Sequence, residues 1–596
     1  MSATVGDVVL ERLRQWNIGQ VFGYPGDGIN GLLAAWGRAD NFPQFVQSRH
    51  EEMSAFQAVG YAKFSGQIGV CAATSGPGGI HLLNGLYDAK LDHVPVLALV
   101  GQTERSAMGG SYQQEIDMLS LFKDVCSEYV QMCTVPEQIP NLIDRAIRIA
   151  LSEQAPTALI FPSDVFELEH TPPQHEFKHV PSSLGLSPGA PAADPAAVQQ
   201  AADLLNAGER VAILIGQGAR GCVGELTEVA DLLGAGCAKA LLGKDVLPDD
   251  LPWVTGSVGL LGTTASYQMM NDCDTLLTVG SNFPYSQFLP ELDQARAVQI
   301  DRSGKWIGMR YPYELNIVGD AKDTLRQLIP LLHRKEDRSW RETIESNVDQ
   351  WWTMAESQAT TDAEPTNPIR MFHELSERMP DNAIIAADSG SAANWYARHL
   401  KFRGSVRGSL SGTLATMGPA VPYVIGAKWA HPDRPGIAFE GDGAMQMNGL
   451  AEMLTVARYW KQWADPRLIV VVLHNNDLNQ VTWEQRAMEG TPKFVESQSL
   501  PDMNYAEFAR GIGLLGINVD TTEEIGPAWD TALAADRPAL LDVRCDPNVP
   551  PIPPHATLEQ AKSLGSALLK GDQDAWQVVK NTAKQKLAQV RPSDDS

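Results

Sequence analysis

The chain has 596 residues, of which 44% are hydrophobic and 20% charged, and its formal net charge is −25. This composition indicates a globular protein of several domains, and its acidic balance disfavours nucleic acid as a partner. The unbroken apolar stretches are far shorter than a membrane-spanning helix requires, so a cytoplasmic location is expected. Seven scattered cysteines without a CxxC pair predict neither a disulfide framework nor a zinc site.

Two stretches interrupt the periodic pattern of the chain, Pro172–Pro195 and Gln358–Pro368, and both are interpreted as linkers. Between them, short β-branched apolar runs such as GVCAAT, VAILIG and LIVVVLHNN alternate with helical patterns. Such runs are typical of parallel sheets that helices cover on both faces. The predicted class is α/β, with three doubly wound parallel-sheet domains and a C-terminal helical tail. The predicted domains span residues 1–180, 190–335 and 365–545, and the tail spans residues 546–596.

Each block carries a glycine cluster directly after a predicted strand. The clusters are SGPGG at Ser75–Gly79, GQGARG at Gly216–Gly221 and EGDGA at Glu440–Ala444. In doubly wound sheets ligands bind at the carboxyl ends of strands, where glycines let the backbone approach and helix N-termini favour anions. A binding site is therefore predicted at each of these strand ends.

The third block holds the strongest chemical signal. Asp442 lies between two glycines in GIAFEGDGAMQ, and a second apolar strand about thirty residues later ends in Asn475 and Asn476. Carboxylate and carboxamide oxygens at neighbouring strand ends suit Mg²⁺ or Ca²⁺, and Mg²⁺ commonly bridges to phosphates. A metal-bound diphosphate is therefore predicted. The alternative is a strand-to-helix turn with a capping aspartate and an unrelated asparagine turn.

GDG followed by NN resembles the cofactor motif of thiamine diphosphate enzymes. The segment that begins QSRHEEMSAFQAVGYAKFSG is similar to the pyrimidine-binding domain of the pyruvate oxidase and acetohydroxyacid synthase group. The resemblance implies that Glu51 contacts the aminopyrimidine, with Glu52 as its rival. A buried carboxyl there favours the imino tautomer, whose nitrogen removes the thiazolium C2 proton.

The resemblance also assigns other residues of the first and third blocks. It implies metal binding by Asp442, Asn476 and the carbonyl of Leu478, and a wedge under the cofactor formed by Met417. Gln113 and Gln114 are expected in the reaction pocket, where Gln113 replaces a phenylalanine common in the family and makes the pocket more polar. Trp483 and Glu484 either face the substrate or lie in a surface loop. The remaining expected contacts of this cofactor are Pro25, Gly26, Ser75, Gly390, Ser391, Gly441, Gly443 and Ala444.

The middle block, with GSVGLLGTTASY, TVGSNFPYSQF and VQIDRSGKWIG, looks like the FAD-binding domain of pyruvate oxidases. Its FPY triplet is most similar to quinone-reducing pyruvate dehydrogenases. Leu242 stands where an arginine is expected, so one anion contact is missing, and the alternative is a middle domain that is only scaffold or carries a non-redox flavin. The expected flavin contacts are Gly259, Leu260, Leu261, Gly262, Thr263, Ser281, Asn282, Phe283, Pro284, Tyr285 and Asp301, the last through a ribose hydroxyl or adenine.

The tail reads DAWQVVKNTAKQKLAQVR, an amphipathic helical pattern with basic residues beside an apolar stripe. This pattern indicates a helix that packs on the protein body or frays in solution or, alternatively, one that makes a peripheral membrane contact. The stripe comprises Trp576, Val579, Ala583, Leu587 and Val590.

The resemblance implies a thiamine diphosphate-, Mg²⁺- and FAD-dependent enzyme that decarboxylates a 2-oxo acid, with pyruvate as the expected substrate. Electrons then pass to the flavin and on to quinone or oxygen. The alternative is a non-redox lyase or carboligase of the acetolactate synthase type. The resemblance also implies a homo-oligomer, at least a dimer and commonly a tetramer.

Overall fold

A computed structural model describes residues 3–170, 172, 180–187, 189–551, 553 and 558–590 of the protein. Their strands form three six-stranded sheets, and the strand pairs of all three sheets are parallel. The seven cysteines are buried and unpaired, as their scattered positions predict. The predicted α/β class with three doubly wound domains is confirmed.

The first domain is built around a sheet between residues 20 and 162. Its strands are β1 (Gln20–Gly23), β2 (Gln44–Gln47), β3 (Gly69–Ala73), β4 (Val96–Gln102), β5 (Val130–Met132) and β6 (Pro156–Pro162), in the order β2-β1-β3-β4-β6-β5. Its helices are α1 (Val5–Gln15), α2 (Asn30–Arg38), α3 (Glu51–Ser65), α4 (Pro77–His81), α5 (Leu83–Leu91), α6 (Met118–Phe122) and α7 (Ile139–Glu153). Alternate residues of β4 enter two different cores, because successive side chains of a strand point to opposite faces.

The second domain repeats this architecture. Its strands are β7 (Val211–Ile215), β8 (Gly236–Lys239), β9 (Val254–Ser257), β10 (Thr275–Val279), β11 (Arg296–Asp301) and β12 (Leu315–Val318), in the order β12-β11-β10-β7-β8-β9. Its helices are α8 (Pro195–Ala207), α9 (Val223–Leu233), α10 (Thr264–Asp272) and α11 (Ala321–Leu328). A long helix, α12 (Ser339–Ala359), follows between the predicted second and third domains and buries Ile344, Val348 and Trp351 in the core of the second.

The third domain carries the GDG and NN turns. Its strands are β13 (Ile384–Ala387), β14 (Arg407–Ser409), β15 (Gly436–Gly441), β16 (Leu468–His474), β17 (Leu515–Val519) and β18 (Ala539–Arg544), in the order β14-β13-β15-β16-β18-β17. Its helices are α13 (Pro368–Arg378), α14 (Ser391–His399), α15 (Ala420–Ala430), α16 (Asp442–Ala444), α17 (Leu450–Tyr459), α18 (Asn479–Glu484), α19 (Val495–Gln498), α20 (Tyr505–Gly511) and α21 (Ile525–Leu533). The turns that follow β13, β15 and β16 therefore lie side by side at one edge of the sheet.

The tail contains two helices, α22 (Leu558–Leu569) and α23 (Ala575–Val590). The predicted apolar stripe of α23 faces outward where it is described, since Trp576 is 77% exposed and Val579 47%. The helix instead packs on the body through Val578, Asn581 and Gln585, while the side chains of Leu587 and Val590 lie outside the described residues. None of the helices in the described ranges is long and apolar enough to cross a bilayer.

Helix α3 of the first domain packs closely on α15 of the third. A Cβ atom added at Gly60 would lie 2.5 Å from the Cα of Tyr423, and one added at Gly426 would lie 2.1 Å from the carbonyl oxygen of Gln57. The two helix backbones are thus in direct contact, which only glycine permits. This contact fixes α3, and with it the Glu51 that begins the helix, against the third domain.

A buried charge network lies at the other end of α3. Lys63 donates to Asp92 Oδ2 at 2.7 Å, to the carbonyl of Leu410 at 2.7 Å and to the hydroxyl of Tyr423 at 2.9 Å. The Tyr423 hydroxyl in turn donates a very short hydrogen bond to Asp88. The Lys63 ammonium therefore pairs directly with Asp92 and reaches Asp88 only through the Tyr423 hydroxyl. Burial raises the pKa of Asp88 from its ordinary 3.8 to about 6.

The Asp88→Asn variant is expected to be more stable than the parent at neutral pH. A carboxyl whose pKa is higher in the folded than in the unfolded protein destabilises the folded state when it ionises. For Asp88 this loss of stability develops as the pH rises from the unfolded pKa of 3.8 through the folded pKa of about 6. The stability gained by the substitution is therefore absent near pH 3.8, grows up to about pH 6 and is then constant at about 3 kcal/mol. Denaturant unfolding of both proteins from pH 4 to 8 measures it, and a pH-independent difference would contradict the assignment.

Candidate active site

The GDG and NN turns meet because β15 and β16 end in register, with Gly441 paired to Leu473. Asp442 Oδ2 accepts hydrogen bonds from the backbone N–H of Asn475 at 2.9 Å and of Asn476 at 2.6 Å, and Oδ1 accepts from Gly443 at 2.9 Å. Burial raises the pKa of Asp442 to about 6, against the effect of these donors. A divalent cation would favour the charged carboxylate, so the position suits a metal ligand.

The two other predicted metal ligands lie beside this aspartate. Asn476 has a left-handed backbone with φ of 54°, and its Oδ1 accepts from Arg544 Nη1 at 3.4 Å. The carbonyl of Leu478 accepts from the N–H of Thr482 at 3.1 Å. The three predicted ligands therefore lie where the GDG and NN turns meet, with the Asn476 side-chain oxygen turned to Arg544.

Met417 lies over the GDG turn. A Cβ atom added at Gly443 would lie 2.6 Å from Leu478 Cδ2 and 3.5 Å from Met417 Cε. Position 443 must therefore be glycine, because any side chain there would collide with Leu478. Ala444 is buried just behind.

The turn after β13 completes the edge of the third sheet. Gly390 has φ of 83° and precedes α14, whose first residue, Ser391, donates through Oγ to Asn479 Oδ1 at 2.9 Å. A Cβ atom at Gly390 would lie 3.7 Å from Gln480 Cβ. The predicted diphosphate contacts Gly390 and Ser391 thus lie next to the segment that follows the NN turn.

In the first domain, Glu51 is the more enclosed of the two adjacent glutamates. It is 7% exposed, and its Oε2 lies 3.0 Å from His81 Nδ1. The His81 ring is in turn 4.3 Å from the ring of His50, the residue that caps α3. Glu52 instead accepts from Asn84 Nδ2 at 2.5 Å. Sequence reasoning did not identify His81, although it follows the SGPGG cluster closely.

The remaining predicted residues of the first domain lie in loops beside Ser75. Gly26 follows the partly exposed Pro25. A Cβ atom added at Gly26 would lie 2.5 Å from the Cβ of Thr74, the residue before Ser75. Ser75 Oγ donates to Gln114 Oε1 at 2.7 Å. Gln114 is thus fixed against the glycine cluster, whereas Gln113 is exposed.

A cavity of about 1600 Å³ lies at the carboxyl edge of the second sheet and extends to the other two domains. It reaches Ser389 and Gly390 after β13 and Gln480 and Glu484 in the segment after the NN turn. The middle-domain predictions that line it are Leu260, Leu261, Ser281, Asn282, Phe283, Pro284, Tyr285 and Asp301.

The other three predicted residues of the middle domain form the turn beside this cavity and are not among its lining residues. Gly259 has φ of 101° and its carbonyl accepts from the N–H of Gly262 at 2.9 Å. Thr263 caps α10 by accepting from the N–H of Ser266 at 3.0 Å. These residues shape the wall from behind.

Cationic groups line the same cavity. Arg220 and Arg407 both pair with the buried Asp245, at 3.0 and 2.8 Å. The side chain of Leu242, which stands where an arginine was expected, also lines the cavity. Burial raises the pKa of Asp301 at the end of β11. A long ligand that carries negative charge would thus meet the guanidinium groups of Arg220 and Arg407 at one part of the cavity and the Asp301 carboxyl at another.

Trp483 and Glu484, which follow the NN turn, lie in different surroundings. Trp483 is 5% exposed, and its Nε1 donates to the carbonyl of Pro547 at 3.1 Å, so it packs inward toward the tail. Glu484 lines the cavity and accepts from Gln480 Nε2 at 3.0 Å. Gln480, which sequence reasoning did not identify, faces the cavity beside it.

Comparison with known proteins places each of the three domains. Residues 3–121 match the thiamine pyrophosphate enzyme N-terminal TPP binding domain, residues 198–328 match its central domain, and residues 388–543 match its C-terminal TPP binding domain.

Relatives match along nearly the whole chain. A thiamine pyrophosphate-containing protein of Bacillus subtilis, YdaP, is 35% identical over 571 residues, which cover 95% of this chain and 96% of the relative. Pyruvate oxidase of Lactiplantibacillus plantarum is 28% identical over 540 residues, or 90% and 88% of the two chains. The acetolactate synthase isozyme 1 large subunit of Escherichia coli is 26% identical over 565 residues, or 92% and 96%. From the three matched domains and the full-length relatives, we conclude that the chain belongs to the thiamine pyrophosphate enzyme family.

Proposed function

We propose that the protein catalyses the oxidative decarboxylation of a 2-oxo acid, with pyruvate as substrate, using thiamine diphosphate, Mg²⁺ and FAD. The observation that carries the proposal is the cavity of about 1600 Å³, which joins the strand ends of the middle domain to Gly390, Gln480 and Glu484 in the third. A cavity of this size has room for a dinucleotide whose flavin end lies beside a thiamine cofactor.

The residues present fit thiamine diphosphate with Mg²⁺. Asp442, Asn476 and the Leu478 carbonyl would hold the metal, while Gly390, Ser391, Gly441, Gly443 and Ala444 would line the diphosphate. When bound, this cofactor supplies the carbon nucleophile and electron sink that decarboxylation requires. Glu51 would hold a proton at the aminopyrimidine, Met417 would support the cofactor from below, and Ser75 and Gln114 would order the neighbouring loop.

The residues of the middle domain also fit FAD. The Arg220 and Arg407 guanidinium groups would face its phosphates, Asp301 would accept from a ribose hydroxyl, and Phe283 and Tyr285, whose rings are 5.7 Å apart, would contact its apolar parts. Quinone or oxygen would then take the electrons from the flavin.

Anaerobic mixing of the cofactor-loaded protein with pyruvate tests the proposal. We expect rapid bleaching of the oxidised flavin band, because electrons released on decarboxylation pass to the flavin. We expect Asp301→Ala to weaken FAD binding by about tenfold, since a hydrogen bond to a carboxylate is lost. Glu336→Ala, at an exposed position just after the predicted end of this domain, should leave FAD binding unchanged. CO₂ release without bleaching would contradict the redox proposal.

A non-redox carboligase is the second candidate. It is favoured by the acetolactate synthases among the relatives, such as the Escherichia coli isozyme 1 large subunit. In that case the flavin would only stabilise the fold, and acetolactate would accumulate from pyruvate while the flavin spectrum stays unchanged. Product analysis in the same experiment separates the two functions.

Two further proposals concern assembly. Several exposed apolar side chains lie in the segments that follow the GDG and NN turns, namely Met447, Leu454, Val481 and Met488. A second copy of the chain would cover them. We propose a homo-oligomer, a dimer at least and commonly a tetramer, which light scattering tests.

The exposed Trp576 and Val579 beside basic residues of α23 support a peripheral membrane contact, which flotation with anionic vesicles tests.

A further inference from the structure

Glu452 of α17 is a buried carboxyl that reaches from the third domain to the first. It is 0% exposed. Its Oε1 accepts from the backbone N–H of Arg49 at 2.8 Å, and its Oε2 accepts from Gln57 Nε2 at 2.6 Å. Both carboxyl oxygens therefore bind groups of a different domain, which lies about four hundred residues away in sequence.

The two donors lie on either side of Glu51. Arg49 precedes it by two residues, and Gln57 lies less than two helical turns after it. Between them His50 caps α3, with its Nδ1 accepting from the N–H of Glu52 at 3.2 Å. The Glu452 carboxyl thus binds both the segment that enters α3 and the first turns of the helix. These two contacts fix the start of the helix and with it the direction of the Glu51 side chain.

These contacts come at a cost in stability. Burial raises the pKa of Glu452 to about 7, and the N–H of Arg49 and the amide of Gln57 only partly oppose this effect. The Arg49 guanidinium adds a weak favourable interaction, whereas the buried carboxyl of Glu440 is a nearby group of the same charge. An apolar side chain would avoid the cost of burying a carboxyl, but it could not accept from both donors.

We infer that Glu452 is a positioning residue for Glu51: it holds the entry to α3 so that the Glu51 carboxyl points toward His81 and the glycine cluster. The placement of Glu51 agrees with this direction, because a Cβ atom at Gly78 would lie 3.4 Å from Glu51 Oε1. The inference deepens the proposed function and rests on it, since the placement of Glu51 matters for catalysis only if Glu51 acts on the aminopyrimidine of thiamine diphosphate.

Two substitutions at position 452 separate positioning from bulk. Gln57 Oε1 is buried and has no hydrogen-bond partner within the described ranges. In Glu452→Gln the Gln57 amide can therefore rotate so that Oε1 accepts from the new NH2 group, while the single side-chain oxygen of the new glutamine still accepts from Arg49. Glu452→Ala loses both contacts. The conservative variant is therefore expected to keep the geometry of α3 and the alanine variant to lose it.

Two measurements report the geometry independently of turnover. The first is amide hydrogen exchange of residues 49–57, followed by mass spectrometry on the protein without cofactor. The second is the exchange of the C2 proton of bound thiamine diphosphate. We expect Glu452→Ala to speed amide exchange and to slow C2 exchange by about 100-fold, the cost typical of a misplacement near 1 Å, and Glu452→Gln to stay within about threefold of the parent by the same reasoning.

The failure of this inference is distinguishable from failure of the proposed function. Glu51→Gln should slow C2 exchange by at least about 100-fold in any background; if it does not, the function assigned to Glu51 is wrong. If Glu51→Gln slows the exchange in this way but Glu452→Ala exchanges at the parental rate, the positioning role is overturned. Should Glu452→Ala fail to fold, Glu452→Met takes its place, because methionine fills a similar volume but accepts from neither Arg49 nor Gln57, and C2 exchange at the parental rate in that variant overturns the role equally.

Discussion

Glu51→Gln is expected to lower kcat by about 10²- to 10⁴-fold, the contribution typical of a positioned acid or base. A carboxamide can hydrogen-bond to the aminopyrimidine but cannot hold and release a proton there. The substitution preserves size, and Glu51 is 7% exposed with His81 as its neighbour at 3.0 Å, so the fold and cofactor affinity should change little. Steady-state rates with pyruvate, together with C2 proton exchange of the bound cofactor, measure the effect.

Glu52→Gln is the matched control, because it makes the same chemical change one residue away. Glu52 accepts from Asn84 Nδ2, which also donates to Thr416 Oγ1 at 3.0 Å beside Met417. A glutamine oxygen can still accept from Asn84, so we expect a loss in kcat of less than about tenfold, as for one weakened hydrogen bond. If Glu52→Gln lost more activity than Glu51→Gln, the assignment of the two glutamates would be reversed.

The fold and the GDG and NN turns could be predicted because their signals are local in sequence. Apolar runs such as LIVVVLHNN predict buried parallel strands, and the structure places β16 at Leu468–His474. Strands in one parallel sheet end at one edge, so Asp442 and Asn476 could be placed together without knowledge of the side chains.

The groups that hold α3 could not be predicted in the same way. Glu452 lies on an ordinary helical pattern after the GDG turn, and nothing in the sequence near it indicates that its partners are Arg49 and Gln57. The outward face of α23 was missed for a related reason: apolar periodicity predicts which residues share a face, whereas here polar side chains such as Asn581 and Gln585 supply the contact with the body.

Lys63→Met is expected to lower the free energy of unfolding by about 3–5 kcal/mol at neutral pH, the cost typical of removing one partner of a buried ion pair. The side chains of Lys63 and Asp92 are 2% and 0% exposed, so water cannot replace the lost ammonium. Asp92 also accepts from the N–H groups of Gly412 and Thr413, both at 2.9 Å. Denaturant unfolding measures the loss. In the variant the first and third domains should separate at a lower denaturant concentration than in the parent.

Lys90→Met is the control on the same side of the domain, since Lys90 pairs with Asp124, whose side chain is 73% exposed. An exposed pair contributes about 0–1 kcal/mol, so equal losses in the two variants would contradict the role of burial. The double variant Lys63→Met with Asp92→Asn should recover part of the loss, because the unpaired carboxylate is gone. Helix α3 is thus held at both ends by the third domain, by Glu452 beside Glu51 and by Tyr423 beside Lys63. A weaker anchor at the Lys63 end should therefore reduce stability while leaving the start of the helix, and C2 exchange, nearly unchanged.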